Sequence, residues 1–250
     1  MIVLKTAKEL KLMRAAGRIS QRALRLAGEA VEPGVTTAEI DGIVRKYIEG
    51  QGATPSFLGY GGFPASTCIS VNNVVIHGIP SEKHILKQGD IVSIDIGAYF
   101  EGFHGDNAWT FACGDISEDA QRLLKTTEEA LFKGINAAVA GARIGDIGYA
   151  VQKYVELRSY SVVRDFVGHG VGAKLHEDPS VPNYGAPGKG ALLRPGMAIA
   201  IEPMVNMGSH RVRVLRDKWT TVTVDGKLSA HFEHTLAITP DGPVILTLPD

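Results

Sequence analysis

The feature that most limits how this chain can fold is an internal likeness at a constant offset of 107 residues. Gly34 to Glu49 set against Gly141 to Glu156 matches Gly34 with Gly141, Ile40 with Ile147, Val44 with Val151, Lys46 with Lys153, Tyr47 with Tyr154 and Glu49 with Glu156. Both segments place apolar residues at helical spacing: Ile40, Ile43, Val44, Tyr47 and Ile48, then Ile147, Val151, Tyr154 and Val155. The register returns further on. Leu86-Lys87-Gln88-Gly89 answers Leu193-Arg194-Pro195-Gly196, and each introduces an apolar strand ending on an acid, Asp95 and Glu202. Lone helices often look alike, but chance does not keep one offset across two kinds of element. The chain therefore reads as a duplication within a single domain, 1–250, with halves of about 1–115 and 116–250 related by a pseudo-twofold axis. A site built from both halves would sit between them.

A chain of this length buries roughly 70–75% of its unfolded surface, so it needs neither disulfide nor metal merely to fold. Lys+Arg 26 against Asp+Glu 27 leaves a net charge of -1, which argues against a specific nucleic-acid partner. Only Cys68 and Cys113 occur, so no disulfide framework is indicated and a reducing compartment is expected. No stretch approaches the ~18 apolar residues that span a bilayer. Charges at Lys5, Lys8, Glu9, Lys11 and Arg14 interrupt any signal-peptide core. A cytoplasmic protein with no membrane partner is the expectation.

Thr6-Ala7-Lys8-Glu9 reads as a capping box opening a helix through Leu10, Met13, Ala16, Leu24 and Ala27. Ser117 as N-cap and Gly141 as C-terminal stop bound a second long helix over 117–140. Strands are expected at 91–94, 108–111, 197–201, 220–224 and 235–238, with hairpin turns at Tyr99-Phe100-Glu101-Gly102 and Asp225-Gly226. The Gly/Pro-rich stretches 52–64 and 182–196 are loops long enough to be functional.

Four acids stand where strands begin or end. Asp95 closes 91–94, Asp106 precedes 108–111, Glu202 closes 199–201 and Glu233 precedes 235–238. One such acid is ordinarily a turn residue bonding its own backbone. Four carboxylates meeting on adjacent apolar strands would repel one another and resist desolvation unless a cation compensates. Their charge matches two divalent ions, although protonation would also relieve it. Histidines add to the pattern: His169 in Gly168-His169-Gly170-Val171-Gly172, His176 in Leu175-His176-Glu177-Asp178-Pro179, and His77 in His77-Gly78-Ile79-Pro80. Carboxylates with one or two imidazoles suit Mn, Fe(II), Co or catalytic Zn, whereas a structural zinc site wants thiolates.

Asp95, Asp106, His169, Glu202 and Glu233, with Val167-Gly168-His169-Gly170-Val171-Gly172 and Glu202-Pro203-Met204, resemble the type I methionine aminopeptidases. Cys68-Ile69-Ser70-Val71-Asn72-Asn73, His77-Gly78-Ile79-Pro80, His104-Gly105-Asp106 and Phe232-Glu233-His234-Thr235 support the likeness, which runs from Thr6 to about Ile238. The short bacterial form is implied, without a zinc-binding extension or the type II insertion. The resemblance implies an α/β pita-bread fold, a curved antiparallel sheet flanked by helices, in agreement with the duplication. It implies removal of the N-terminal methionine from nascent polypeptides, at the ribosome, when the second residue is small and uncharged.

The same resemblance assigns Asp95 to one of two divalent ions, His169 and Glu202 to the other, and Asp106 and Glu233 to both. The substrate's α-amino group would take a metal position, and a water between the ions would attack the scissile carbonyl with help from Glu202. His77 would contact the scissile amide and His176 the oxyanion. Tyr60, Phe63, Cys68 and Trp219 match pocket positions, with Phe57 and Leu175 nearby. A monomer is expected. Phe57, Phe63, Leu175 and His231 depart from common family residues, which touches pocket shape and metal surroundings but removes no ligand. The competing readings are an X-Pro aminopeptidase of the same fold, a non-catalytic binding protein and a di-metal phosphoesterase.

Overall fold

A computed structural model describes residues 1–248 of the chain. The capping box at the head of α1 (Ala7–Glu29) forms: Thr6 Oγ1 accepts from the Glu9 N–H at 3.3 Å, and Glu9 Oε2 accepts from the Thr6 N–H at 2.7 Å. The helix buries Met13, Ala16, Ala23, Leu24 and Ala27 on one face, the stripe a surface helix needs. A second capping box, Thr36 with Glu39, opens α2 (Thr37–Gly50). Then come β1 (Thr54–Pro55), a 3-10 turn at Tyr60–Gly62, β2 (Cys68–Val71), β3 (Val74–Ile76), β4 (Ile91–Phe100) and β5 (Phe103–Ala112).

The second half continues with α3 (Glu118–Ala137), α4 (Ile144–Glu156), β6 (Ser161–Val162), β7 (Gly168–Gly170), β8 (Glu177–Val181), β9 (Ala198–Ile201) and β10 (Met204–Asn206). It ends with β11 (Val212–Val214), β12 (Thr221–Thr223), β13 (Ser229–His231), β14 (Glu233–Thr239) and β15 (Gly242–Ile245). Nine strands form one sheet in the order β1-β4-β5-β14-β9-β7-β8, with β2 also on β4 and β15 on β14. Every pairing in it is antiparallel. Two small three-stranded sheets complete the strands.

The duplication is written in the backbone bonding. Thr36 bridges Ile85 as Arg143 bridges Leu192, each member 107 residues from its counterpart. The Gly34 N–H donates to Leu86 O at 2.8 Å, and the Gly141 N–H to Leu193 O at 3.0 Å. Gly34 and Gly141 have φ of 96° and 90°, and Gly89 and Gly196 have 91° and 90°, a left-handed conformation that only glycine adopts without strain. Each half owns a core. Ile40, Val44, Val92 and Ile94 belong to the first, while Ile147, Val151, Ile199 and Ile201 belong to the second. Trp109 packs against both.

Several boundaries differ from expectation. The helix expected over 117–140 ends at Ala137. There the chain turns away so that Ala142 O can accept from the Leu193 N–H at 2.8 Å and Ile144 N–H can reach Ala191 O at 3.0 Å. These long-range bonds outweigh one more helical turn. β4 and β5 are longer than the apolar runs suggested, so Asp95 and Asp106 lie inside a hairpin rather than at strand ends. Glu101 and Gly102, with φ of 48° and 89°, make the turn between them, the positive pair that matches strand twist. Asp225-Gly226 is a turn but not a hairpin, because β12 and β13 pair in different sheets.

Candidate metal centre

Strand register assembles most of the site. Cys68 pairs with Asp95, Asp95 with Ala108, and Ala108 with Glu233, so one cross-strand row carries two of the acids. Asp106 pairs with Gly97, two rows on, and shares its face because side chains alternate. Glu202 follows Ile201, which pairs with His234 beside Glu233. His169 lies mid-strand on β7, next to Gly170, which pairs with Ile199 of β9. Three strands of one half and two of the other thus deliver the five groups to one place. Asp106, His169 and Glu233 offer ligand atoms all within 4.8 Å of one another. His169 Nε2 lies 3.7 Å from Asp106 Oδ2 and 3.6 Å from Glu202 Oε1.

Close backbone approach makes this possible. A Cβ on Gly105 would stand 2.4 Å from Gly17 N of α1, and one on Gly97 would stand 2.6 Å from Ser56 Cβ. Only hydrogen at these positions lets α1 press on the strand of Asp106 and lets the 52–64 loop close over the strand of Asp95.

The five groups lie in a cavity of about 200 Å³. Its other walls are Tyr60, Phe63, Cys68 and Trp219, with His77, His176, Phe57 and Leu175. Every residue selected from the sequence for catalysis, metal binding or substrate contact is therefore present in one cavity. Phe57, Phe63, Cys68 and Leu175 are buried together and Trp219 packs on them, its ring 5.2 Å from Phe63. Tyr60 is different. It is 46% exposed, stands at the mouth, and bonds His176 Nδ1 at 2.9 Å. His77 holds a left-handed φ of 57° between the rings of Phe166 and Trp219, a conformation that costs ~1 kcal/mol or more and points to a positioning role.

The electrostatics are those of a crowded acidic hollow. Burial raises the Asp95, Asp106 and Glu233 carboxyls well above their ordinary values, and mutual repulsion adds to it. Burial pushes Glu202 up to about 8. Burial also lowers His169 and His231 to about 3 and His77 to about 4, so these imidazoles are neutral near pH 7. Asp95 Oδ1, Asp106 Oδ1 and Glu233 Oε1 are buried with no hydrogen-bonding partner in the protein. His169 Nδ1 donates to Gly170 O at 2.9 Å, which leaves the Nε2 lone pair facing the carboxylates. Free carboxylate oxygens and an imidazole oriented from behind by a carbonyl form a donor set that fits divalent cations.

One contributor escaped the sequence reading. His231 was noted only as a departure, yet its buried Nε2 lies 3.5 Å from Glu202 Oε2. The two-residue spacing from Glu233 was the available signal, but a Phe232 flanked by polar residues does not reveal a shared face. Lys5, one of the charges that interrupt an apolar N-terminus, is itself buried. It is buried against Glu177, the residue after His176, and Glu177 Oε1 also accepts from the Lys174 N–H at 3.2 Å. Lys5→Met would strand a buried carboxylate, and a loss of about 3 kcal/mol in urea unfolding is expected. Lys5→Arg should recover most of it.

Fold and site together define a metallohydrolase whose centre straddles a duplication. Residues 11–240 match the family model of metallopeptidase family M24, and the chain belongs to that family. It is 59% identical over 248 residues to the methionine aminopeptidase of Clostridium perfringens (strain 13 / Type A), covering 99% of each chain. It is 55% identical over 247 residues to methionine aminopeptidase 1 of Bacillus subtilis (strain 168), again covering 99% of each. The crystal structure of methionine aminopeptidase from Thermotoga maritima superposes with a TM-score of 0.97 at 46% identity, covering 99% of each chain. The fold is the expected pseudo-twofold pita-bread arrangement.

Proposed function

We propose that this chain is a metal-dependent methionine aminopeptidase that removes the N-terminal methionine of nascent polypeptides in the cytoplasm, acting as a monomer. The observation that carries the reading is the joining of five metal-type donors, three buried and two half-buried, to a small apolar pocket in one cavity. An unbranched thioether fits such a pocket because it is flexible and polarisable. The same pocket offers no buried cation to a phosphate ester, which disfavours the phosphoesterase reading. Asp95, Asp106, His169, Glu202 and Glu233 would hold two divalent ions. When bound, such ions lower the pKa of water and polarise a carbonyl.

The chain's own groups would do the rest. Glu202 sits where it can take a proton from water and pass it to the leaving amine. A Tyr60 hydroxyl donating to Nδ1, 2.9 Å away, would keep the His176 proton on Nε2, where it could donate to the developing oxyanion. His77 is held against the scissile amide by its backbone conformation. Phe57, Phe63, Cys68, Leu175 and Trp219 exclude water from around the methionine side chain.

The metal-free protein should be titrated with Mn, Co, Fe(II) and Zn while methionine release and bound-ion stoichiometry are followed together. Release from Met-Ala-Ser with no more than two ions bound is expected, and no release with any metal would overturn the reading. A peptide with Leu in second place should be cut at least about tenfold more slowly than one with Ala, since excluding a bulky side chain is worth ~1.4 kcal/mol or more. Equal kcat/KM for the two would contradict the small-second-residue preference. The bound metal in the cell should be Mn, Fe(II), Co or Zn, the ions that this carboxylate and imidazole donor set suits. Metal analysis of protein purified without chelators checks that.

A further inference from the structure

Two imidazoles flank Glu202, the carboxylate placed to move protons. His169 Nε2 lies 3.6 Å from its Oε1, and His231 Nε2 lies 3.5 Å from its Oε2. Among the described residues no lysine or arginine pairs with this carboxylate, and no hydrogen bond reaches it. His169 gives its proton to Gly170 O from Nδ1, so its Nε2 has only a lone pair to offer. His231 differs. Its Nε2 is buried without a hydrogen-bonding partner, and a lone pair there would face a carboxylate oxygen. The proton therefore belongs on Nε2, which makes His231 the donor aimed at Glu202.

The fold fixes His231 from its main chain. On β13 it pairs with Met204 of β10, two residues after Glu202. Its N–H donates to Thr110 Oγ1 at 3.0 Å, and its carbonyl accepts from the same hydroxyl at 2.8 Å. Ser93 Oγ lies 2.8 Å from that hydroxyl in turn. The first half of the chain thus grips the residue that faces Glu202 of the second. On the other side Asn183 Nδ2 donates to Glu202 O at 2.9 Å, which holds the acid's backbone. His231 is 1% exposed and forms no wall of the catalytic cavity. It therefore acts on the reaction through Glu202 or not at all. At 3.5 Å the contact is longer than a hydrogen bond, as catalytic contacts often are before a site is loaded.

We propose that His231 is a positioning residue: its Nε2–H bonds Glu202 Oε2 when the metal ions are bound, and leaves Oε1 turned towards His169 and the other ligands. The assignment rests on the function proposed above and deepens it by naming the group that holds its proton carrier.

His231→Leu should bind manganese at least about tenfold more weakly by calorimetry, the usual effect of removing a group that orients a metal ligand. At saturating manganese its kcat for Met-Ala-Ser should fall by a similar factor while KM moves less than about threefold, because His231 touches no part of the substrate pocket. His231→Gln, whose amide can donate to the same oxygen, should recover manganese affinity to within about threefold of the unaltered chain. A crystal structure of the manganese-loaded unaltered chain decides the matter even if His231→Leu does not fold. Nε2 should lie within about 3.2 Å of Glu202 Oε2; a longer distance, or Nε2 on an ion, overturns the proposal. So does unchanged manganese affinity in a folded His231→Leu, a change confined to KM, or a folded His231→Gln no better than His231→Leu. Methionine release by the unaltered chain is followed alongside. Its absence with every metal removes the aminopeptidase reading, whereas release together with an unaffected His231→Leu removes only the role of His231.

Discussion

Asp106→Asn and Glu233→Gln should each lower metal-dependent methionine release by roughly 10³-fold or more, because a metal centre contributes several kcal/mol and each 1.36 kcal/mol is a factor of ten. The chain should nonetheless stay folded. In the metal-free protein these substitutions remove one of four carboxyls that burial and mutual repulsion hold above their usual range, so the variants' melting temperatures should equal or exceed that of the unaltered chain. Activity lost with stability unchanged or raised identifies a ligand. Activity lost together with a lowered melting temperature would assign Asp106 and Glu233 a structural role instead. Full turnover in the double variant would end the metal reading altogether.

The metal-free protein should also lose stability as pH rises from about 7.5 to 8.5. Glu202 has an ordinary value of 4.5 and a folded value of about 8. Its contribution is whole below about 4.5 and is lost as pH climbs through 8. Asp95, Asp106 and Glu233 are shifted the same way by burial. His77, His169 and His231 are shifted in the opposite direction. They hold their stabilisation well above their ordinary 6.5 and lose it as pH falls towards about 3 to 4, so their opposing slope has faded by about pH 7.5. Above that the acids dominate, and a decline on the order of 1 kcal/mol between 7.5 and 8.5 is expected. Excess manganese should flatten or reverse that slope, because metal affinity rises as ligands deprotonate. Urea unfolding at pH 7.5, 8.0 and 8.5, with manganese and with chelator, checks both. A metal-free protein equally stable at all three would mean that burial does not raise these carboxyls in the fold.

No helix among the described residues is long and apolar enough to cross a membrane, as the interrupted apolar runs suggested. Cys68 and Cys113 are both free and buried. Much of the architecture was legible because local rules act locally. Thr6 with Glu9 and Thr36 with Glu39 cap their helices through bonds spanning three residues, and helical periodicity named their buried faces. Boundaries were less legible where distant groups decide them. α3 stops at Ala137 because Leu193 and Ala191 claim the following backbone. Asp95 and Asp106 were misplaced at strand ends because an apolar-run criterion stops at the first charge, whereas the β4–β5 ladder continues through both.

The sequence by itself offered the repeat register and a cluster of four acids with candidate histidines, while the five-member ligand set and the pocket residues came from the family resemblance. Repeat register and side-chain chemistry are properties of the chain order, and they survive without coordinates. Only the tertiary structure decided that Tyr60 stands at the mouth bonding His176, that His231 backs Glu202, and that Lys5 is buried on Glu177. The reason is range: each of these contacts joins positions 29 or more residues apart, closed by sheet register and by glycine-permitted close approach.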